Sequence, residues 1–451
     1  MLKHNKVWPL LMGLVALLAL AAIACNGDDG GTSGTQTPRA TGTATAGTPA
    51  AGIPETSLIS VSSPSDDQPS VGLPAGKIVL GSHFATSGTY GAAFKPVGEG
   101  VKAYFEFVNA ERGGVCGRKI EFHPEDDGYE PAKAQEVTRK LVEQDKIFAM
   151  IAGLGTAAHG AVWDYLNVRG IPDLWVMTGA HKWAADPQAH PWTVPLLPDY
   201  MVEGTIQGKY ISENFPGKTV AVLHQNDDFG KDGYAGLLKG LDPSKNEVVG
   251  VQSYEATAVS VGSQIANLAQ TGADVAVCDC IPGYTAQAID QADRLGWEPQ
   301  WFVDYVNSDP LMFSYTSPQT MEGTLSLQAN KLIQTDDPAI QEHIRIMKEY
   351  SDVAPANFSI VGQNAGALTE FVLQMACDNG ALSRKSLMDA VESLVDYSPT
   401  DPKYTLTLPG VLITVTKTDH LAIEAMRLLI AKVVDGRGVW EYQGELISFS
   451  E

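Results

Sequence analysis

The chain has 451 residues, of which 44% are hydrophobic and 19% charged, and its formal net charge at pH 7 is −22. Such an excess of acidic residues argues against binding to nucleic acid or docking on anionic lipid, because both repel a negative surface. The residues after position 76 are numerous enough for one large domain or two medium ones.

The N-terminal residues have the layout of a signal peptide. Lys3 and Lys6 precede an apolar run over 7–23, and small residues lead up to Cys25. We expect a signal peptide over 1–24 that is cleaved before Cys25, with a retained anchor helix or ordinary secretion as alternatives. Residues 22–25 resemble the lipobox of bacterial lipoproteins, which implies that Cys25 is lipidated.

The segment 25–76 is rich in Gly, Thr, Ser, Pro and Ala. It holds too few large apolar side chains to offset the entropy of an ordered chain. We therefore predict a disordered tether between the lipidated cysteine and the folded body.

Beyond the tether, apolar runs of strand length alternate with helical stretches. This alternation predicts βαβ units and a parallel sheet. The predicted strands of this first part span 77–84, 119–123, 147–154 and 172–177. After a proline-rich passage the same rhythm restarts, which predicts a second lobe. It begins with a helix at 200–215, followed by strands at 219–225, 247–254, 274–281 and 300–305.

The last part of the body adds helices without a sheet of their own. Helical stretches at 339–351, 358–378 and 383–394 follow a strand-like run, and a hairpin over 422–446 ends the body. The economical arrangement returns these helices to the first lobe and crosses back near 412–416. We predict an α/β fold of two Rossmann-like lobes with parallel sheets, joined by a three-strand hinge. The lobes are residues 77–194 plus 328–411 and residues 195–327 plus 412–451.

Two strand-to-helix turns carry small and hydroxyl-bearing residues. Thr156 and Ala157 open one turn, and Thr178 and Ala180 belong to the next. Free N–H groups at helix starts favour anions, and the carboxyl ends of parallel strands share one edge of a sheet. Both turns could therefore grip one carboxylate; capping of the helices is the alternative. The run 153–158 superficially matches a dinucleotide fingerprint, but no ribose-binding acid ends the next strand.

Catalytic and metal-binding motifs are absent from the chain. No His-Glu-x-x-His, Gly-x-Ser-x-Gly, Walker or EF-hand pattern occurs. We therefore expect no enzyme activity, no cofactor and no metal. Aromatic residues at the predicted strand ends suit a cleft that closes on an apolar or ring-containing ligand, although core packing would explain them as well.

Several segments resemble the type I periplasmic binding proteins, whose best-known members bind branched-chain amino acids for ABC transporters. The segments are Ala85–Gly88, Asn109–Lys119, Glu125–Gly128 and Asn226–Gly230. The resemblance covers nearly everything from Lys77 onward. It implies a two-lobed clamp that captures a small molecule outside the cytoplasm and delivers it to a permease and its ATPase.

The resemblance also implies a ligand site. Thr156 falls where the family has a hydroxyl residue for the ligand carboxylate, with Ala157 beside it. Thr178 and Ala180 fall in the matching second turn. Tyr90 lies in the loop whose aromatic residue covers the ligand in the family.

The second lobe departs from the family pattern. Ile281 occupies a turn that often carries an aromatic contact in the family. At the position of the acid that holds the ligand ammonium, this chain has Tyr305, with Asp304 next to it. Because an unpaired ammonium in a closed cleft is costly, either Asp304 takes that role or the ligand lacks an amine.

Four cysteines remain in the body if Cys25 is lipidated, in a compartment where disulfides persist. A bond between Cys116 and Cys377 is the preferred pairing. Cys278 and Cys280 would lie on one strand face with Cα atoms about 6.5 Å apart, so a bond between them should be strained. The redox state of this pair is left open.

These features predict a substrate-binding lipoprotein of an ABC importer, anchored by lipid outside the cytoplasm of a bacterial cell, at the cell surface or in the periplasm. Its ligand would be an amino acid or a small organic carboxylate, bound in the interlobe cleft by hinge closure. An alternative is a ligand sensor that uses the same clamp to report to a signalling partner. An enzyme on a similar two-lobed scaffold is a further alternative.

Overall fold

The computed structural model describes residues 71–449, which form two sheets covered by helices. The first sheet has the order β2-β1-β3-β4-β5, and all its neighbours pair in parallel. Its strands are β1 Lys77–Phe84, β2 Lys119–Asp126, β3 Ala149–Ile151, β4 Asp173–Val176 and β5 Thr193–Pro195. The helices of this part are α1 Gly88–Glu111, α2 Pro131–Glu143, α3 Thr156–Gly160, α4 Trp163–Val168 and α5 Lys182–Ala185.

The second sheet has the order β12-β11-β10-β9-β8-β6-β7. Its strands are β6 Thr219–Gln225, β7 Glu247–Tyr254, β8 Val275–Asp279, β9 Gln300–Val303, β10 Leu325–Gln328, β11 Ala425–Val434 and β12 Arg437–Ser448. Strands β6 to β10 pair in parallel, and the terminal hairpin β11–β12 joins β10 in antiparallel fashion. The helices of this part are α6 Tyr200–Asn214, α7 Asp228–Gly240, α8 Gly262–Ala269, α9 Pro282–Leu295, α10 Met312–Tyr315 and α11 Pro318–Met321.

Three further helices complete the body between β10 and β11. They are α12 Pro338–Tyr350, α13 Asn357–Asp378 and α14 Arg384–Val391. Helices α12 and α13 pack on α1, and α14 packs on α13, so these helices extend the layer beside the first sheet. The predicted fold class, an α/β fold with two mostly parallel sheets, is confirmed.

Helices α6 and α7 approach each other through glycines. A Cβ atom at Gly236 would lie 2.0 Å from the carbonyl oxygen of Met201, and one at Gly204 would lie 2.1 Å from that of Gly233. The two backbones are therefore in contact, because no side chain separates them. This close packing fixes the start of each helix, where both helices face the cavity described below.

The chain passes between the two sheets three times. It leaves the first sheet after β5 and reaches α6 at Tyr200, and it leaves the second sheet after β10, where Asn330 pairs with Thr407. Residues 412–416, predicted as the third crossing, still contact the first part: Ile413 bridges Tyr397, and the chain enters the second sheet only at Ala425.

Two sequence expectations differ from the structure in detail. The strand predicted over 147–154 is shortened to β3, because Ala152 adopts a positive φ of 59° and the chain turns there. The tether was predicted to reach residue 76, but Gly72 and Pro74 accept hydrogen bonds from Val79 and Arg118. The ordered body therefore begins no later than residue 71. The signal peptide, Cys25 and the tether over 26–70 lie outside the described residues.

All four cysteines of the described body are paired. Cys116 is bonded to Cys377, which links the loop after α1 to the end of α13. Cys278 is bonded to Cys280. Their Cα atoms are 5.3 Å apart rather than the extended-strand value, because β8 ends at Asp279 and Cys280 leaves the strand geometry. This separation is within the usual range for a disulfide, so the expected obstacle to this bond is absent.

Candidate functional site

A cavity lies where the carboxyl ends of both sheets face each other. It encloses about 730 Å³ of space between atoms, part of it continuous with solvent. Residues after β3, β4, β8, β9 and β10 line it, and α1 and α13 contribute one wall. Its aromatic lining consists of Phe94, Tyr129, Tyr200, Phe229, Tyr305 and Phe358. A concave, mostly apolar space with a few polar groups is typical of small-molecule sites.

Two threonine hydroxyls meet at the first-sheet side of this cavity. Oγ1 of Thr156 lies 2.6 Å from Oγ1 of Thr178, and both side chains are buried. The turn before Thr156 requires Gly155, whose φ is 99° and whose Cβ would lie 2.7 Å from the Tyr129 ring. The sequence thus brings the two predicted turns together and packs an aromatic ring against one of them.

A chain of hydrogen bonds between buried acids and histidines holds the segments next to these turns in place. His83 on β1 lies 2.7 Å from Asp127 through Nδ1, and 3.0 Å from Nδ1 of His159 through Nε2. Nε2 of His159 lies 2.9 Å from Asp173. All four side chains are fully buried. Each contact needs one proton between its two atoms, so the chain Asp127-His83-His159-Asp173 ties α3 and the loop before Tyr129 to the sheet.

The predicted ammonium partner does not face the cavity. Asp304 is buried, accepts from the backbone N–H of Val306 at 2.8 Å and interacts with the carboxyl group of Glu203 on α6. Burial raises the pKa of Asp304 to about 6. Burial together with the charge of Asp304 raises the pKa of Glu203, whose Oε1 accepts from the N–H of Tyr305 at 2.7 Å.

A cluster of polar side chains lines the opposite part of the cavity wall, after β9, after β10 and at the start of α13. Its members are Ser308, Asp309, Gln328, Asn330 and Asn357. Most of their polar atoms bond to one another or to backbone groups. The amide of Asn357 donates to the Ser308 carbonyl oxygen at 2.8 Å, and the amide of Gln328 donates to the Ser308 hydroxyl at 2.8 Å.

Side chains bridge the mouth of the cavity on two sides. The hydroxyl of Tyr90 on α1 donates to the carbonyl oxygen of Ala256, which also accepts from Tyr284 at 2.9 Å. On the other side, Lys182 on α5 pairs with Asp228 on α7 at 2.8 Å. These contacts join elements of the first sheet to elements of the second, so the structure has a closed cleft.

The predicted site residues fall into three groups. Thr156, Thr178, Ile281 and Tyr305 line the cavity. Tyr90 lines a smaller adjoining pocket, together with Ile281. The residues that are not among the lining of either pocket are Ala157, Ala180 and Asp304.

Sequence reasoning missed several lining residues. Tyr129, Tyr200 and Phe229 lie at or just before the first turn of a helix, and counting such positions systematically would have found them. Phe94 and Phe358 come from helices α1 and α13, and Asn330 from a crossing segment. Phe358 also lies in the first turn of its helix, so the same count would have found it. No local pattern marks Phe94 and Asn330, because only the packing of distant segments brings them to the cavity.

Within residues 71–449, no cluster of three or more His, Cys, Asp or Glu side chains has the arrangement of a metal site. In the same residues, no helix is both long and apolar enough to cross a bilayer.

Comparison with known proteins places the chain in a family. A model of the family described as periplasmic binding protein matches residues 77–437. An amino acid binding protein from Pseudomonas aeruginosa is 24% identical over 291 residues, which are 59% of this chain and 70% of that protein. The chain belongs to the periplasmic binding protein family, whose members are extracytoplasmic solute-binding proteins.

Solved structures share the fold. A branched-chain amino acid ABC transporter protein from Thermus thermophilus with bound valine aligns with a TM-score of 0.73 at 20% identity, over 83% of this chain and 97% of that one. A fatty acid ABC transporter substrate-binding protein from Thermomonospora curvata aligns with a TM-score of 0.70 at 20% identity, over 84% and 94%.

Proposed function

We propose that this chain is the substrate-binding lipoprotein of an ABC importer and captures an amino acid or small organic carboxylate by closing its cleft. The observation that carries the proposal is the cavity itself: a mostly apolar, aromatic space into which Thr156 and Thr178 present adjoining hydroxyl groups. The names of the related structures, with valine and fatty acid as ligands, both point to carboxylates.

Seven of the eight predicted site residues have a role in this proposal, and Asp304, which is not part of the cavity lining, has none. Thr156 and Thr178 hold the ligand carboxylate with their hydroxyls, and backbone groups at Ala157 and Ala180 assist. Tyr90 covers the ligand by joining α1 to the loop after β7. Ile281 and Tyr305 form the wall on the side of the second sheet.

Hinge closure couples binding to delivery. The moving parts are the two lobes, predicted as 77–194 plus 328–411 and 195–327 plus 412–451, except that residues 412–424 stay with the first lobe, since Ile413 bridges Tyr397. A ligand that contacts both lobes shifts the population toward the closed form, because only that form makes both sets of contacts. The permease and ATPase of the importer then respond to the closed form.

The proposed anchor is a lipid on Cys25, exposed after removal of residues 1–24, with the following segment as a tether. Cells grown with radiolabelled palmitate should incorporate label into the chain, and the Cys25→Ser variant should not. Equal labelling of both proteins would contradict lipidation at this cysteine.

The ligand class can be tested by thermal unfolding of the full chain in detergent, in the presence of amino acids, aromatic acids and short aliphatic acids. A ligand that binds only the folded state raises the melting temperature. At one hundred times its Kd it adds about 2.7 kcal/mol to the free energy of unfolding. The Thr156→Val variant keeps the shape but lacks the hydroxyl, so it should bind the same ligand about tenfold more weakly.

The importer role needs a separate test. Cells that lack this chain should lose uptake of the ligand identified by thermal unfolding, and uptake should return with the intact chain but not with Thr156→Val. Unchanged uptake without the chain would contradict the importer role even if the ligand binds.

A further inference from the structure

The two disulfide bonds of the body differ in what they can stabilise. Cys116 and Cys377 are separated by 261 positions, whereas Cys278 and Cys280 are separated by two. In the chain-entropy model a disulfide stabilises a fold by restricting the unfolded chain, and the effect grows with the length of the loop that the bond closes. The bond between Cys278 and Cys280, here called the short disulfide, therefore contributes little to global stability.

The short disulfide lies at the turn that leads from β8 into α9. β8 ends at Asp279, and Ile281 is the N-cap residue of α9. Ile281 belongs to the lining of both the cavity and the smaller adjoining pocket. In the first turn of α9, Tyr284 donates to the carbonyl oxygens of Ala256 and Ala258 at 2.9 Å and 2.5 Å. The turn thus sets the position of one wall residue and of one residue at the cavity mouth.

The same turn is tied to a second segment of the cavity wall. The carbonyl oxygen of Cys280 accepts from Nδ2 of Asn307 at 2.8 Å, and that of Cys278 accepts from the N–H of Asp304 at 3.2 Å. Residues 305–306, which lie between these two partners, line the cavity. The backbone around the short disulfide is therefore shared by two parts of the wall.

Both sulfur atoms would have a hydrogen-bond partner in the reduced form as well. Sγ of Cys280 lies 3.4 Å from the carbonyl oxygen of Leu223, and Sγ of Cys278 lies 3.7 Å from Oγ1 of Thr285. A thiol is a weak donor, so each S–H can bond to the oxygen that already lies beside it. The fold can therefore accommodate the reduced pair.

Reduction would change the freedom of the turn. With the bond formed, the Cα atoms of Cys278 and Cys280 are 5.3 Å apart. An extended chain places residues i and i+2 about 6.5 Å apart, so without the bond the turn can lengthen by about 1 Å. Ile281 and Tyr284 follow directly in the chain and would move with it. Wall residues that are not held in place must be ordered when a ligand binds, and this lowers affinity.

We propose that the short disulfide is a redox-sensitive positioning device for the ligand site. When formed, it holds Ile281 and Tyr284 where the closed cleft needs them. A dithiol reduces it by thiol–disulfide exchange, in which two electrons and two protons pass to Cys278 and Cys280 and the dithiol becomes a disulfide. The reduced chain stays folded but binds its ligand more weakly. This inference rests on the proposed function of the cleft, and it does not depend on which ligand the cleft takes.

Calorimetric titration and urea unfolding of the full chain test the positioning role. The unmodified protein is compared with the Cys278→Ser/Cys280→Ser variant, with valine, benzoate and butanoate as probes. A probe that the unmodified chain binds should bind the variant about tenfold more weakly, because the turn must then be ordered on binding. The urea midpoint of unfolding should be nearly unchanged. Equal affinity of the two proteins would overturn the inference, and so would a fall in the midpoint as large as that of Cys116→Ser/Cys377→Ser.

The Cys116→Ser/Cys377→Ser variant also isolates the response to a dithiol, because the short disulfide is then the single disulfide of residues 71–449. Dithiothreitol should weaken binding of the same probe about tenfold, and reoxidation should restore it. If this variant does not fold, the unmodified chain takes its place, with the reduced cysteines identified by alkylation and mass spectrometry. A short disulfide that resists dithiothreitol in the folded chain, or unchanged affinity after its reduction, would overturn the redox sensitivity.

Hydrogen exchange decides the inference even if none of the three probes binds, a result that would count against the proposed ligand class alone. The N–H of Ile281 donates to the hydroxyl of Tyr254 at 3.2 Å, and the N–H groups of Tyr284 and Thr285 donate to the carbonyl oxygen of Ile281. These amides should exchange about tenfold faster in the variant without the short disulfide, whereas the amides of β6 should keep their rates. Unchanged protection of the turn would overturn the inference and leave the proposed function intact.

Discussion

Buried carboxyl groups behind the cavity wall give the body a pH dependence. The pKa of Asp304 is raised from 3.8 to about 6, chiefly by burial, so the folded state keeps a proton that the unfolded state releases. The stabilisation that this retained proton gives is complete below the pKa that Asp304 has in the unfolded state. It is lost as pH rises through the pKa that Asp304 has in the folded state. Glu203 and Asp279, whose pKa values are also raised by burial, act in the same direction.

Asp304→Asn should reduce this dependence. The amide oxygen of the variant can still accept from Val306, so the turn is kept while the titrating group is removed. Between pH 4 and pH 6.5, the melting temperature of the unmodified chain should fall relative to that of the variant. Parallel curves for the two proteins over this range would contradict the assignment.

The buried acid and histidine chain should be equally sensitive to a single change. His159→Ala leaves Nε2 of His83 without its partner and removes one of the two partners of Asp173 Oδ2, at sites with no access to water. Leaving buried polar groups unsatisfied costs about 2–4 kcal/mol. Urea unfolding should detect this loss.

His123→Ala is the matched control for that change. Its side chain is partly exposed and pairs with Glu121 and Asp145 at the surface. Such pairs are worth about 0–1 kcal/mol. If His159→Ala lowered the free energy of unfolding as little as His123→Ala does, the buried hydrogen-bond chain would add no stability.

At the scale of elements, the contact between α6 and α7 depends on glycine. Gly236→Ala would place a methyl group 2.0 Å from the backbone oxygen of Met201, which cannot move without separating the helices. We expect a loss of about 1–3 kcal/mol, measured by urea unfolding. Gly283→Ala in α9 meets no atom within 4 Å and should leave stability nearly unchanged. Similar losses for both variants would exclude the close contact as the cause.

The disulfides are also features of elements. A free-thiol count on the denatured, unreduced full chain should find no reactive cysteine among the four of the body. Cys377→Ser should release Cys116, and the long loop that the bond closes predicts a loss of about 2–5 kcal/mol. Four reactive thiols in the unmodified chain would contradict both pairings.

At the scale of the whole molecule, the contact of Tyr90 with Ala256 at the cavity mouth, here called the clasp, should control the rate at which a ligand dissociates. Tyr90→Phe keeps the ring but removes the hydrogen bond to Ala256, which stabilises the closed form. A neutral hydrogen bond is worth about 1 kcal/mol, so ligand dissociation should accelerate about fivefold. Tyr165→Phe removes a hydroxyl that binds Glu143 away from the cavity, and it should not change the rate. Equal rates for the two variants would exclude the clasp.

Much of the architecture could be predicted locally. The bounds of β1, β6 and β7 coincide with the predicted strands, because runs of apolar residues between turns are visible in a short window. The three-residue β5 was not predicted, since so short a strand carries no periodicity and its place depends on pairing with β4. Thr156 and Thr178 were predicted to lie together, because the carboxyl ends of neighbouring parallel strands share one edge of a sheet.

The sequence by itself determined the alternation of strands and helices, the membership of the family and the two hydroxyl-bearing turns. Only the tertiary structure decided that Asp304 lies beside Glu203 and outside the cavity lining, and that Asn330 belongs to that lining. The reason is physical. A strand is specified by neighbours along the chain, whereas the direction and satisfaction of a side chain depend on atoms that distant segments bring to it.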